Sequence, residues 1–280
     1  QVGVWKDSTA LFSHAVAVTQ GNYIAHYNLG CELQKQGDTG EAISHYEEAI
    51  RIKPDLTSAR NNLAGILLSQ GRLDDAIRQY TLSLDAEPKQ ARVYNNLGSA
   101  YFRKGDLARA SQAFARACAL DPTYASACKN LKEAQKALKA LEKRLAAALS
   151  RAREDPKDAS ARADAGDAYR LLGDHKNARS QYMACLAVDK ASRKAIKGLV
   201  LVAREESRWD EAVSWLERLA SLEPEDPSPL YDMACVYALW GRREEAIRIL
   251  RRAVEKGFSD MRLLASDPDL SSIRSDPYVA

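Results

Sequence analysis

No stretch of this sequence stays apolar for the ~18 to 20 residues that crossing a bilayer requires. The longest apolar runs, Ala64 to Leu68 broken by Gly65 and Leu199 to Ala203, fall far short, so no direct membrane insertion of this fragment is expected. No signal peptide opens it. An excess of one charge is lacking as well: 41 Lys and Arg against 38 Asp and Glu leave a formal net charge of +3, too weak for a polyanion binder, and nucleic acid is not expected as a partner. Cysteine is scarce and unpatterned. Cys31, Cys118, Cys128, Cys185 and Cys235 make an odd count of 5 without a C-x-x-C. Neither a disulfide framework nor a zinc site is expected, and the five read as small buried apolar residues in a reducing compartment. The four histidines, His14, His26, His45 and His175, have no partner motif. No phosphate-binding glycine loop, G-x-S-x-G or H-E-x-x-H occurs, so no cofactor, no metal and no catalytic residue is expected.

What the chain does have is a period. In rows of 34 residues, starting at Tyr23, Thr57, Ala91, Ala125, Ala159, Arg193 and Pro227, it stays in phase through Asp260 without insertion or deletion. The fifteenth column reads Gly37, Gly71, Gly105, Lys139, Gly173, Ser207 and Gly241; the thirty-second reads Pro54, Pro88, Pro122, Pro156, Lys190, Pro224 and Phe258. An apolar stripe at helical spacing lies on each side of the glycine, which permits positive φ between two helices, and the proline ends the second helix. Each row is a helical hairpin. Small residues in the eighth column (Gly30, Ala64, Gly98, Gly166, Ala234) and the twentieth (Ala42, Ala76, Ala110, Ala178, Ala212, Ala246) allow close approach. The twenty-fourth column (Tyr46, Tyr80, Phe114, Tyr182, Leu216, Leu250) fills the layer.

That combination resembles the tetratricopeptide repeat over Tyr23 to Asp260. The resemblance implies an all-α superhelical solenoid of helix-turn-helix repeats, whose first helices line a concave groove that holds peptides or protein segments. Residues 1–22 are then the second helix of a truncated repeat, with Trp5, Ser8, Phe12 and Ala15 on its packing columns. Three repeats occupy 23–124, three more 159–260, and 261–280 form a cap in which Asp267 and Pro268 start a short helix to about Ile273. The opening "VWKDSTALFSHAVAVTQGNYIAHYNLG" also resembles the start of repeat regions that follow the membrane part of bacterial mannosyltransferase-like proteins. A piece of a longer protein is therefore expected, cytoplasmic by its cysteines or periplasmic by that second resemblance.

Row four, 125–158, departs from the pattern. Lys139 replaces the turn glycine, and Lys132, Arg144 and Arg151 stand where a tight hairpin wants small side chains. Ala127, Leu131, Ala134, Leu138, Leu141, Leu145 and Ala148 instead form one seam at alternating four and three residues. One continuous helix of roughly 45 Å is expected; the alternative is a degenerate hairpin turning near Lys139. The row also holds the whole basic excess, with 9 basic and 5 acidic residues.

The sixth column carries the functional expectation: Asn28, Asn62, Asn96 and Asn130, then Asp164, Gly198 and Asp232. The resemblance turns this column toward the groove, where a row of carboxamides can pair with backbone amides whatever side chains the ligand bears. Tyr27, Asn61, Asn95, Lys129 and Lys197 stand beside them, with Arg92, Lys194, Phe102, Arg103, Lys136 and Arg170 on neighbouring columns. Basic groups on this wall suit acidic side chains or a free carboxylate, and Tyr27 and Phe102 are candidate aromatic anchors. The expected function is a non-catalytic scaffold for a peptide or protein segment. The alternatives are a recruiting or regulatory arm of a larger enzyme such as a membrane glycosyltransferase, and a self-assembling homo-oligomer.

Overall fold

The computed structural model describes residues 7–274; Trp5 lies outside the described residues. Every described element is helical. Helix Ser8–Val18 (α1) precedes the first full row, and the first helices are Tyr23–Gln36 (α2), Thr57–Ser69 (α4), Ala91–Lys104 (α6), Ala125–Glu154 (α8), Ala159–Leu171 (α9), Arg193–Glu205 (α11) and Ser228–Leu239 (α13). The second helices are Thr39–Ile52 (α3), Leu73–Ala86 (α5), Leu107–Leu120 (α7), His175–Val188 (α10), Trp209–Leu222 (α12) and Arg243–Glu255 (α14). Apart from the one-residue displacement at Pro227, the starts keep the 34-residue register of the sequence. His175 opens a helix, because Gly173 and Asp174 already complete the reversal.

The reversal is one hydrogen-bonded turn used repeatedly. Gly37 takes φ 92°, and the next N–H, of Asp38, donates to the Leu33 carbonyl at 2.9 Å. Asp106 to Tyr101, Asp174 to Tyr169 and Arg242 to Tyr237 repeat that bond, the left-handed C-terminal cap in which glycine avoids a Cβ clash. Row six makes the same turn with serine: Ser207 sits at φ 56°, and Arg208 N–H still reaches Ala203 O. A left-handed non-glycine costs ~1 to 2 kcal/mol, partly offset by the greater freedom glycine has when unfolded. Ser207→Gly is therefore expected to stabilise the protein by about 0.5 to 1 kcal/mol, read as a rise in urea midpoint at constant slope.

Row four makes no turn. Helix α8 runs unbroken from Ala125 to Glu154, 30 residues, and the hairpin alternative is excluded. The chain divides into two compact units, Gln1–Leu138 and Lys139–Ala280, so α8 gives its first half to one and its second half to the other. In the first unit the opening half of α8 packs as a first helix without its second; in the second unit its closing half buries Leu141 and Ala148. The bare faces explain the misfit residues: Lys132 and Arg144 are exposed, whereas a packed hairpin would have buried their columns.

Within the N-terminal unit the core runs through Leu29, Leu33, Tyr46, Leu63, Leu67, Tyr80 and Leu97, each worth roughly 1.5 to 3 kcal/mol of burial. At its α8 end the core thins to Ala110, Phe114 and Ala134, with Tyr101 and Leu131 beside them. Cys118 at the end of α7 and Cys128 at the start of α8 are brought side by side, Cα to Cα 5.4 Å, within the reach of a disulfide. This corrects the reading of all five cysteines as buried and unrelated: Cys118 and Cys128 are only half-buried and stand together. Spacing along the chain hid the pair, because the turn between α7 and α8 supplies the approach.

The C-terminal unit packs around Tyr182, Ile196, Leu199 and Leu219 and, further along, Leu216, Met233, Val236 and Leu250. Trp209 lies against the latter group. The cap is built differently from expectation. A six-residue helix, Met261–Ser266 (α15), comes first, and Pro268–Leu270 is a single 3-10 turn capped by Asp267. Leu270 and Ile273 are fully buried, closing the apolar end of the last hairpin.

Candidate functional site

In the N-terminal unit Asn62, Asn96 and Asn130 of column six reach back to the preceding hairpin. The Tyr46 ring lies against Gly30, where an added Cβ would stand 2.8 Å from it. The Tyr46 hydroxyl donates to Gln34 Oε1 at 2.7 Å, and Asn62 Nδ2 donates to that hydroxyl at 3.3 Å and to Cys31 Sγ at 3.5 Å. Tyr27 tilts against Tyr46, ring centroids 6.1 Å apart. Burial pushes the Tyr46 hydroxyl well above its ordinary pKa. The next layer repeats the arrangement: burial, opposed by a hydrogen bond from Asn96, leaves Tyr80 pushed up to about 12.

The third layer breaks it, because Phe114 has no hydroxyl. Asn130 Nδ2 donates instead to Asn95 Oδ1 at 2.9 Å, and Asn95 Nδ2 faces Asn96 Oδ1 at 3.4 Å. Asn95 is buried, so this short amide chain satisfies a group that would otherwise be orphaned. Asn61 Nδ2 donates to Gln90 Oε1 at 3.0 Å. The carboxamides are therefore partly engaged inside the protein, and the oxygens of Asn62 and Asn130 keep accepting capacity.

Beside Asn130 lies a hollow of about 150 Å3 lined by Ser99, Phe102, Arg103, Phe114, Asn130 and Glu133, roomy enough for a side chain rather than a single water. Two phenyl rings line it together with a carboxamide, a guanidinium and a carboxylate. Phe102 is 40% exposed, and Arg103 donates to the Leu68 carbonyl of the preceding repeat. On α8, Lys129 and Lys136 stand one turn either side of Glu133, both exposed. Neither forms an ion pair among the described residues. Arg92 is exposed and faces Asp121, whose carboxyl is held low first by hydrogen bonds from Thr123 and lastly by Arg92.

The C-terminal unit treats its basic residues differently. Lys194 pairs with Asp164 and, at 3.2 Å, with Asp167; Arg151 bridges Asp158 at 2.8 Å and Asp164 at 3.1 Å. Arg170 holds Glu205 at 2.7 Å, and Arg204 pairs with Asp269 of the cap. Two of the expected ligand-selecting cations, Arg170 and Lys194, are thus neutralised within the chain. Lys197 lies close to Asp232, whose carboxyl is pushed up by burial while Lys197 and Arg204 pull it down. Gly198 interrupts the column for a steric reason: a Cβ there would stand 2.2 Å from Tyr182 Cζ.

Among the described residues, one group of three could offer metal-ligand atoms, Cys235, Asp267 and Asp269, within 4.8 Å of one another. Its carboxylates are already occupied by the Tyr231 hydroxyl and by Arg204, which makes it an anchor for the cap. His26 and His45 meet Nδ1 to Nδ1 at 3.0 Å, so one nitrogen carries the proton and the other accepts it. Burial first, then His26, holds the His45 pKa below its ordinary 6.5, with Glu41 opposing. A depressed folded-state pKa means the unfolded chain binds the proton more readily, so stability falls as pH drops below about 6.5. His26→Gln is expected to flatten that fall, as checked by urea midpoints at pH 7.5 and 5.5.

Paired helices at a constant period, small residues under an aromatic and a left-handed turn define a helical-repeat protein. The chain belongs to the tetratricopeptide repeat family: models of that repeat match residues 33–97, 91–124, 159–192 and 227–255. No curated protein matches the sequence. Among solved structures, MamA protein is 20% identical with a TM-score of 0.37, the alignment covering 74% of this chain and 95% of that one. A tetratricopeptide repeat protein from Parabacteroides merdae is 19% identical with a TM-score of 0.37, covering 89% and 84%. The first TPR of Spaghetti, solved bound to an HSP90 peptide, is 22% identical with a TM-score of 0.42, covering 44% and 98%. No described helix is long and apolar enough to cross a membrane.

Proposed function

We propose that this chain is a non-catalytic scaffold that binds an extended, acidic peptide or protein segment along the first-helix wall of its N-terminal unit. One observation carries the reading: Phe102, Arg103 and Asn130, singled out from sequence for separate reasons, line one hollow together with Phe114. An apolar ligand side chain fills the hollow, and the free oxygens of Asn130 and Asn62 accept from ligand backbone N–H groups. Lys129 and Lys136, which form no ion pair among the described residues, receive acidic groups beyond it. Arg170 and Lys194 drop out, because Glu205, Asp164 and Asp167 already occupy them. A disulfide between Cys118 and Cys128 favours an oxidising compartment such as the periplasm over the cytoplasm.

The test is a peptide array probed with the full chain and with Phe102→Ala and Asn130→Ala. Each change is expected to lower binding of the strongest peptides at least ~10-fold, as for a central interface residue. Asn130 also supports buried Asn95, so thermal unfolding of each variant separates lost binding from lost structure. Undiminished array signal with Phe102→Ala would sink the proposal.

A further inference from the structure

We propose that Cys118 and Cys128 form a disulfide that acts as a redox-sensitive latch and holds the ligand hollow together, so that reduction releases the first half of α8 and abolishes the site. The proposal rests on the ligand reading above and adds its regulation.

Three observations converge. First, the opening half of α8 is a first helix with no second helix to clamp it, since Lys139 replaces the turn glycine. Second, its apolar anchorage is slight. Buried Ala134 and half-buried Leu131 face Ala110 and Phe114, and the other buried residue of this half is Ala127, whereas neighbouring layers bury leucines and a tyrosine. Small side chains leave little area to hold the helix, and a half-helix without packing frays. The disulfide adds a covalent tie at this thin end. Third, α8 supplies two of the residues that line the hollow, Asn130 and Glu133, within two turns of Cys128. Loss of α8 from α7 removes that wall and also breaks the Asn130–Asn95 hydrogen bond.

The bond is open to exchange. Both cysteines are only partly buried, whereas Cys185 and Cys235 are buried and burial pushes their thiols up, which keeps them out of exchange. A dithiol reductant attacks one sulfur as thiolate and forms a mixed disulfide. Its second thiolate then releases the protein thiol. Two electrons pass to the Cys118–Cys128 bond, two protons complete the two thiols, and the reductant leaves as its own disulfide.

The experiment is hydrogen exchange on the full chain, prepared in air and compared before and after dithiothreitol, with alkylation and mass spectrometry to count free thiols. Before reduction, Cys118 and Cys128 are expected to resist alkylation. After it, amides of residues 125–138 are expected to exchange at least ~10-fold faster while those of 57–104 stay unchanged. The Cys118→Ser, Cys128→Ser double variant should behave as the reduced chain in either condition. The strongest array peptide should bind at least ~10-fold more weakly to both. Unchanged exchange on reduction, or full alkylation of both cysteines beforehand, overturns the latch and leaves the ligand reading standing. Faster exchange with no peptide bound in any state upholds the release of α8 and overturns the ligand reading instead.

Discussion

Gly198→Ala is expected to destabilise the protein by about 2 kcal/mol or more, although alanine is the better helix former by ~1 kcal/mol. The added Cβ would stand 2.2 Å from Tyr182 Cζ and 2.4 Å from Cε1. That ring cannot retreat: Tyr182 is fully buried, its other side lies against Gly166, where a Cβ would be 2.6 Å away, and its hydroxyl donates to Asp167 at 2.6 Å. Overpacking of this kind costs ~1 to 3 kcal/mol and more where nothing yields. Gly65→Ala is the control, because the nearest atom to its Cβ, Tyr80 Oη, is 3.9 Å away; there the helix propensity gain of roughly 0.5 to 1 kcal/mol should appear alone. One chemical change in two equivalent helices should thus shift the urea midpoint in opposite directions. Tyr182→Leu combined with Gly198→Ala should recover part of the loss, and two single variants of the same sign would refute the steric account.

Reversing the charge of Lys129 and Lys136 together is expected to weaken binding of an acidic peptide by roughly 50 to 100-fold, or about 2 to 3 kcal/mol. An exposed lysine contributes ~0.2 to 1 kcal/mol per pair, and a glutamate in its place adds repulsion of similar size. Because the groups are exposed, affinity should fall with salt in the natural chain and lose most of that dependence in the variant. Titration at about 50 and 300 mM salt measures both. Reversal of Arg170 and Lys194 should act otherwise, since their partners Glu205, Asp164 and Asp167 would be left facing like charge. Stability should drop there, with affinity for the peptide little changed. Equal loss of affinity from both pairs would place the ligand on the C-terminal unit as well.

The uneven legibility of these residues has a physical cause. Asn62 and Asn96 could be picked out by column, yet their engagement with Tyr46 and Tyr80 depends on the hydroxyl of a residue 16 positions earlier. Asn130 behaves differently because Phe114 lacks that hydroxyl, a one-atom difference that redirects its amide to Asn95. Arg170 and Asn130 looked equally available in sequence. Glu205, 35 residues on, neutralises the first, whereas the second borders an open hollow.

By itself the sequence determined the repeat length, the two-helix unit, the glycine turns and the loss of the hairpin in row four. Those follow from local rules, in which a left-handed turn needs a residue without a Cβ and a helix continues wherever no such residue or proline stops it. Only the tertiary structure decided which amides are engaged, which cations are neutralised, why Gly198 stands in a column of polar residues and which two of the cysteines meet. Each of those is a contact between neighbouring helices, where a fraction of an ångström or a single hydroxyl selects the partner.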